Sequence, residues 1–438
     1  MEIGSGSPNL FGSKEASMPQ EGRFMRLRPA AAMSARSGAW HVLVAAVALF
    51  MSAGLVVAPP AYAERAAASA TAAQAVRPTL PPPTGHDRLG VVPLHLVDRS
   101  RPDPWVPSQP VRELMVSLWY PAERVHGHPR APWLPPAAWA GFQQDLGVPP
   151  GTIRVPLTHG RSGAPVERAR RGRPVVLYSP GLGGNRDSGT VLVEELVSRG
   201  YVVVTIDHTY DAGQVQFPDG RVEVPALPPL TPEVLTRAVL VRVADVRFVL
   251  DQLTALNAGR NPDAEHQRLP RGLRGALDLS RVGMFGFSLG GATAAEAMVE
   301  ERRIKAGVNL DGTLFGRVIS TGLHRPFMLV GAHNHTRDND PTWAQLWANL
   351  RGWRLNLRLA HSEHNSFNDF QALLPQIADQ LNLPPEVVLG AIGTIDPRRS
   401  VINQRVYLRA FFDLHLRHRD NGLLAHPSAR FPEMHFMP

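Results

Sequence analysis

Short apolar runs punctuate the chain from residue 113 onward: 113–119 (ELMVSLW), 175–179 (VVLYS), 201–207 (YVVVTID), 282–285 (VGMF), 306–310 (AGVNL), 327–332 (FMLVGA) and 355–360 (LNLRLA). Several are continuously apolar rather than alternating, the pattern of strands buried on both faces. Helical segments fall between or after them. Asp187 and Ser188 are placed to cap one that runs to Arg199 and stops at Gly200; others span Glu233 to Leu256, Leu289 to Arg303 and Val401 to Arg417. Strand followed by helix, repeated along the chain, predicts a mostly parallel central sheet with helices on both faces.

Two polar, Pro-rich stretches break this rhythm, 123–173 and 211–232. The second leaves the sheet just after a strand, on the edge where ligands of such sheets bind, so both are read as insertions that wall a pocket or lie on the surface. Upstream, residues 64–83 are rich in Ala and Pro and read as a flexible linker, which places the folded body at 84–438 as one catalytic domain. Residues 1–63 read as a leader: Arg23, Arg26, Arg28 and Arg36 precede the apolar stretch 42–57, and Ala61-Tyr62-Ala63 supplies a small-residue cleavage site. The expectation is an exported, extracellular protein cleaved near Ala63.

Composition narrows the chemistry. The chain has no cysteine, which removes thiol catalysis, thiolate metal sites and disulfides together. Its net charge is +8, but the basic residues are nearly all Arg, scattered and interleaved with Asp and Glu, so no nucleic-acid footprint stands out. That charge leaves room only for weak attraction to anionic lipid or cell-wall surfaces.

The run from Arg281 to Ala292 (RVGMFGFSLGGA) is a short strand, a G-x-S-x-G turn and the start of an Ala-rich helix. This is the layout of the nucleophile elbow of the α/β-hydrolase fold, and it nominates Ser288. A serine needs a base to take its proton, an acid to orient the base, and N–H donors for the developing oxyanion. Candidate acids are Asp311, at a strand end before Gly312, and Asp338 and Asp340 in a later loop. Position alone does not separate them. Among the histidines, His364 and His361 follow the last predicted strand, while His208, His333 and His335 follow earlier ones; His364 is favoured because it opens a loop into a helix. The glycine-rich turn 180–184 (PGLGG) is the source expected for one oxyanion amide, Leu182, with Leu289 as the other. A phosphate-binding G-x-x-x-x-G-K is absent, and no cofactor signature is found.

Four segments, YSPGLGGNR (178–186), DLSRVGMFGFSLGGAT (278–293), NLDG (309–312) and SEHNSFNDF (362–370), resemble in order and spacing those of the platelet-activating factor acetylhydrolase family, of the plasma and type II kind with its bacterial relatives. Thr84 to Arg88 and Trp119-Tyr120-Pro121 fit the same pattern. The resemblance implies an α/β-hydrolase fold, a metal-independent serine esterase, and a catalytic set of Ser288, Asp311 and His364, choosing Asp311 over the two later acids. It also implies oxyanion amides at Leu182 and Leu289 and a substrate site bordered by Gly181, Gly183, Phe287 and Phe367. Two positions depart from the family: Phe287 and Pro180 stand where it usually has His.

The expected activity is hydrolysis of short or truncated acyl esters, small or lipidic, through an acyl-enzyme. A polyester or cutin-type hydrolase and a general lipase are the enzymatic alternatives, and a catalytically silent binding protein of the same fold is the non-enzymatic one. Two further features carry structural readings. The loop with His333, His335, Asp338 and Asp340 has donors for an ion but the commonplace look of a polar turn, and Trp343 and Trp347 share a helix face better suited to packing than to lipid.

Overall fold

The computed structural model describes residues 75–149 and 151–438; the leader, with the first residues of the linker, lies outside the described residues. The strands are β1 (Arg88–Asp98), β2 (Arg112–Ala122), β3 (Arg130–Pro132), β4 (Leu157–Ser162), β5 (Arg173–Ser179), β6 (Val202–Asp207), β7 (Val215–Gln216), β8 (Val222–Glu223), β9 (Leu277–Phe287), β10 (Ile304–Leu310), β11 (Phe327–Gly331), β12 (Arg354–Leu359) and β13 (Met434–Phe436). The helices are α1 (Pro136–Asp145), α2 (Thr190–Ser198), α3 (Pro232–Asn257), α4 (Leu289–Glu300), α5 (Val318–Thr321), α6 (Pro341–Asn349), α7 (Phe370–Ile377), α8 (Pro385–Ile392) and α9 (Pro397–Arg417).

The main sheet is ordered β13-β12-β11-β10-β9-β5-β6-β2-β1-β4-β3. Its centre, from β6 through β5, β9, β10 and β11 to β12, is parallel throughout, which aligns the carboxyl ends of those strands along one rim. The strand pairs β2–β6, β1–β2 and β12–β13 are antiparallel. One apolar layer packs α3, α4, α5 and α6 on one face of the sheet. The other face is covered by α2 and α9. Both faces are therefore dry, which explains why the central strands read as unbroken apolar runs.

Strand β1 was not legible in the sequence because Gly90 and Pro93 interrupt it. Full-length antiparallel pairing with β2 holds it nonetheless. The linker also differs from expectation. Val76 bridges to Ile153, Gln376 binds the Thr79 backbone, Arg405 donates to the carbonyls of Pro81 and Pro82 at 2.8 Å each, and Leu80 is buried. The docked body thus starts ahead of Thr84, and the Pro-rich stretch is fixed where its backbone carbonyls find an Arg.

The insertion 123–173 carries β3, α1 and β4. Its Trp133, Leu134, Trp139 and Ile153 form a third apolar cluster with α7 and α8. The insertion 211–232 is a small hairpin, β7–β8, whose Val215 and Phe217 pack on Met115. Among the described residues no helix is long and apolar enough to cross a membrane.

Candidate active site

Strand β9 delivers Ser288 on a turn too tight for ordinary backbone, with φ 54° and ψ −124°. Such a conformation is strained and persists only where its surroundings hold it. Here its amide donates to the carbonyl of Leu310 (2.9 Å), and its own carbonyl accepts from Gly291 (2.8 Å) as α4 begins. Close approach dictates the neighbours: a Cβ on Gly286 would strike the backbone of Gly290, and one on Gly290 would strike the carbonyl of Ser179.

One strand along, β10 ends at Leu310 and is followed by Asp311, also at positive φ (57°). The Asn309 side chain pins this turn by accepting from the Gly312 amide (2.9 Å) and donating to the Gly312 carbonyl (2.6 Å). The Asp311 carboxylate is buried and shared. Oδ2 accepts from His364 Nδ1 at 2.6 Å; Oδ1 accepts from the Ala332 amide at 2.6 Å and from His335 Nδ1 at 2.9 Å. Burial favours the neutral acid, but His335 and His364 outweigh it and hold the carboxyl well below its usual range.

His364 opens the 3-10 turn His364–Phe367, which is braced by a reciprocal capping box between Glu363 and Ser366. Its Nε2 lies 3.0 Å from Ser288 Oγ. The Phe287 ring rests against it, centroids 4.7 Å apart. Three separate stretches of chain therefore meet as a hydrogen-bonded row of serine, imidazole and carboxylate, on the rim where the parallel strands end.

The turn 180–184 borders this row. A Cβ on Gly181 would lie 3.1 Å from the Phe287 ring and 3.3 Å from Ser288 Cβ, so Gly181 is where the loop runs close to the serine. Gly183 has φ 69° and binds the Asp211 carbonyl (3.0 Å) through its amide. Among the described residues, the amides of Leu182 and Leu289 donate to no protein acceptor, and Leu289 is the first residue of α4, where unpaired N–H groups and the helix dipole favour an anion. Phe367 departs from expectation. It is 1% exposed and sealed in the core under α9, so it supports the turn that carries His364 and faces no substrate.

Sequence reading missed one partner of this site and the role of another. Arg242 of α3 is fully buried; it donates to the carbonyls of Pro180 (2.5 Å) and Gly181 (3.1 Å) while its fork pairs with Asp211 at 2.6 Å. Beside it, Ser179, His208 and Asp245 form another Ser-His-Asp row with both contacts at 2.9 Å, wholly buried and closed to substrate. No sequence signal separates a helix-face Arg from its many neighbours.

The other is His335, considered above as a base or an ion donor but not as a partner of Asp311. It bridges Asp311 to Asp340, with Nε2 2.9 Å from Asp340 Oδ2. Asp340 in turn caps α6 and accepts from Thr313. Of the residues considered for an ion, His335 and Asp340 are thus bonded to each other, His333 stacks on His361 and Asp338 is exposed. Trp343 is buried and donates to the Gly312 carbonyl (2.7 Å), and Trp347 lies between Arg337 and Arg354.

Residues 106–219 and 229–421 match the family model described as platelet-activating factor acetylhydrolase, isoform II. The chain belongs to this family. A probable 1-alkyl-2-acetylglycerophosphocholine esterase of Arthroderma benhamiae is 31% identical over 384 residues, 82% of this chain and 93% of that protein. A platelet-activating factor acetylhydrolase of Cavia porcellus is 23% identical over 295 residues, 60% of this chain and 65% of that one. Among solved structures, a ferulic acid esterase from Streptomyces cinnamoneus superposes with TM-score 0.69 at 37% identity, covering 82% of this chain and 99% of that chain. As a member of the platelet-activating factor acetylhydrolase family, the chain is an α/β-hydrolase-fold enzyme of the serine type that acts on carboxylic ester bonds. Of the two positions read as departures from the family, Phe287 packs on His364, and residue 180 contributes its backbone carbonyl to Arg242.

Proposed function

We propose that this enzyme is an exported esterase that removes short acyl groups, from small or lipidic esters, through an acyl-enzyme on Ser288. The observation that carries the reading is the row from Ser288 Oγ to His364 Nε2 (3.0 Å) and from His364 Nδ1 to Asp311 Oδ2 (2.6 Å). Ser288 Oγ donates its proton to His364 as it attacks the carbonyl carbon, and the ionised Asp311 stabilises the imidazolium that forms. The carbonyl oxygen gains its charge beside the amides of Leu182 and Leu289. The imidazolium then protonates the leaving alcohol, and water repeats the cycle on the acyl-enzyme. A short acyl group is supported by the acetyl ester named for the Arthroderma protein. Export is supported by the Arg-rich, apolar and A-x-A sequence of the leader.

The test is a chain-length series of nitrophenyl esters run beside an acetylated phospholipid and a ferulate ester, with fluorophosphonate labelling of the protein. Wild type is expected to take the label and to prefer acetyl over long acyl chains. Ser288→Ala should abolish labelling and lower kcat at least ten-thousandfold by order of magnitude, while Ser362→Ala keeps the label. Asp311→Asn should cost roughly a thousandfold or more, and Asp338→Asn should cost little. An unlabelled wild type, or activity lost with Asp338 and kept without Asp311, refutes the assignment.

A further inference from the structure

We propose that His335 is a positioning residue for ester hydrolysis: clamped between Asp340 and Asp311, it fixes the plane of the Asp311 carboxylate and places a second cation against it. The inference rests on the triad reading above and adds to it a residue outside the triad.

The geometry leaves His335 little choice. Nδ1 lies 2.9 Å from Asp311 Oδ1 and Nε2 lies 2.9 Å from Asp340 Oδ2. A neutral imidazole has one N–H and would turn a lone pair toward one of these carboxylates; a doubly protonated ring donates to both. Asp340 is itself immobile, since Oδ1 accepts from the Thr342 amide (2.8 Å) and hydroxyl (2.6 Å) and Oδ2 accepts from Thr313 (2.9 Å). Trp343, one turn into α6, lies with its ring centroid 4.3 Å from that of His335. The side chain is 16% exposed, so water replaces few of these contacts. Burial disfavours the cation, yet the two carboxylates overcome it and push the imidazole up to about 10.

Each Asp311 oxygen thereby serves a different histidine: Oδ2 the one that contacts Ser288, Oδ1 the one that does not. Asp311 leaves its strand at positive φ, and side-chain anchors are needed to aim its carboxylate from such a turn. His335 and the Ala332 amide supply them on Oδ1. The second cation also offsets part of the negative charge that Asp311 presents to the catalytic row, so its removal is expected to change the pH dependence of turnover. Other charges near the row are few: Glu363 beside His364 and Asp311, and the stacked pair His333–His361 with Arg358 and His435 beside His333.

The experiment is the pH profile of kcat/KM on nitrophenyl acetate for wild type, His335→Gln, which keeps a donor without charge, and His335→Lys, which restores a cation. Melting temperatures establish folding. His335→Gln is expected to move the acid limb up by about one pH unit and to lower the plateau about tenfold, while His335→Lys holds the limb within a few tenths of wild type. A limb unmoved in folded His335→Gln, or moved equally in both variants, overturns the proposal. Should neither variant fold, histidine ¹⁵N spectra of the wild type decide: both His335 nitrogens protonated at pH 8 supports it, and a neutral ring overturns it. Failure of the triad reading looks different, because the wild type itself would then hydrolyse no ester and take no fluorophosphonate.

Discussion

At the scale of single residues, Asp311 concentrates most of the physics. It is a buried carboxylate whose burial cost is offset by two imidazoles and an amide, so it remains ionised where an isolated acid would not. The same contacts tie folding to pH through His335. Its folded value of about 10 lies above the ordinary 6.5, so the stability it contributes is fully present below pH 6.5 and is lost as pH rises toward 10. Denaturant unfolding of the wild type between pH 7 and 10.5 should therefore show a decline that is flattened in His335→Gln; equal slopes in the two proteins would show that the linkage is not carried by this ring. Ser288 and His364 were readable because an elbow and a histidine after the last parallel strand are local patterns. Between Asp311, Asp338 and Asp340, residue pattern alone did not discriminate, since the choice depends on which strand end lies beside β9. Phe367 was misread for a related reason: an aromatic three positions after the histidine looks like a pocket wall until the 3-10 turn swings it into the core.

At the scale of elements, the rim around Ser288 is held from behind. The turn 180–184 has few side chains to anchor it, and its carbonyls are gripped by Arg242 from α3. The fork is what matters, because one guanidinium reaches two carbonyls and both oxygens of Asp211. A lysine keeps the charge but not this geometry. Arg242→Lys is expected to lower kcat about tenfold or more, within the range of losing an oxyanion donor, and to change KM little; a wild-type kcat in a folded variant would show that the turn holds its shape unaided. Helix α2 shows the same long-range support. Its cap was expected from Asp187 or Ser188, yet the amides of Thr190 and Val191 are satisfied by Asp369, at 3.0 Å each. Asp369 also accepts from Trp133 (2.8 Å), so the loop carrying His364, the helix after the turn 180–184 and the first insertion share one carboxyl group. Partners so distant in sequence leave no local signature, whereas the strands of the parallel centre, buried on two faces, announced themselves by composition.

At the scale of the whole molecule, a chain without cysteine must draw its stability from packing, and it extends its core by docking segments that look like linkers. Residues 76–83 cross the cluster formed by Trp133, Trp139, Ile153, α7 and α8, with Leu80 inserted at 4% exposure. Arg405 holds the Pro81 and Pro82 carbonyls and also donates to the Val191 carbonyl (3.2 Å), which joins this segment to α2. The arrangement places the docked strap on the elements behind His364 rather than on the Ser288 rim, so it should contribute to stability without entering the chemistry. Leu80→Ala removes buried methyl groups from that cluster and is expected to cost about 2–3 kcal/mol, toward the low end for such substitutions because the segment lies at the margin of the core and has room to settle. Differential scanning calorimetry should record a melting temperature several degrees lower, while kcat/KM at 25 °C stays within about twofold of wild type. An unchanged melting temperature would show that the segment adds nothing to the fold. A large loss of turnover at 25 °C in a protein that melts normally would instead tie the strap to the placement of His364, through α7 and the Asp369 carboxyl group that precedes it.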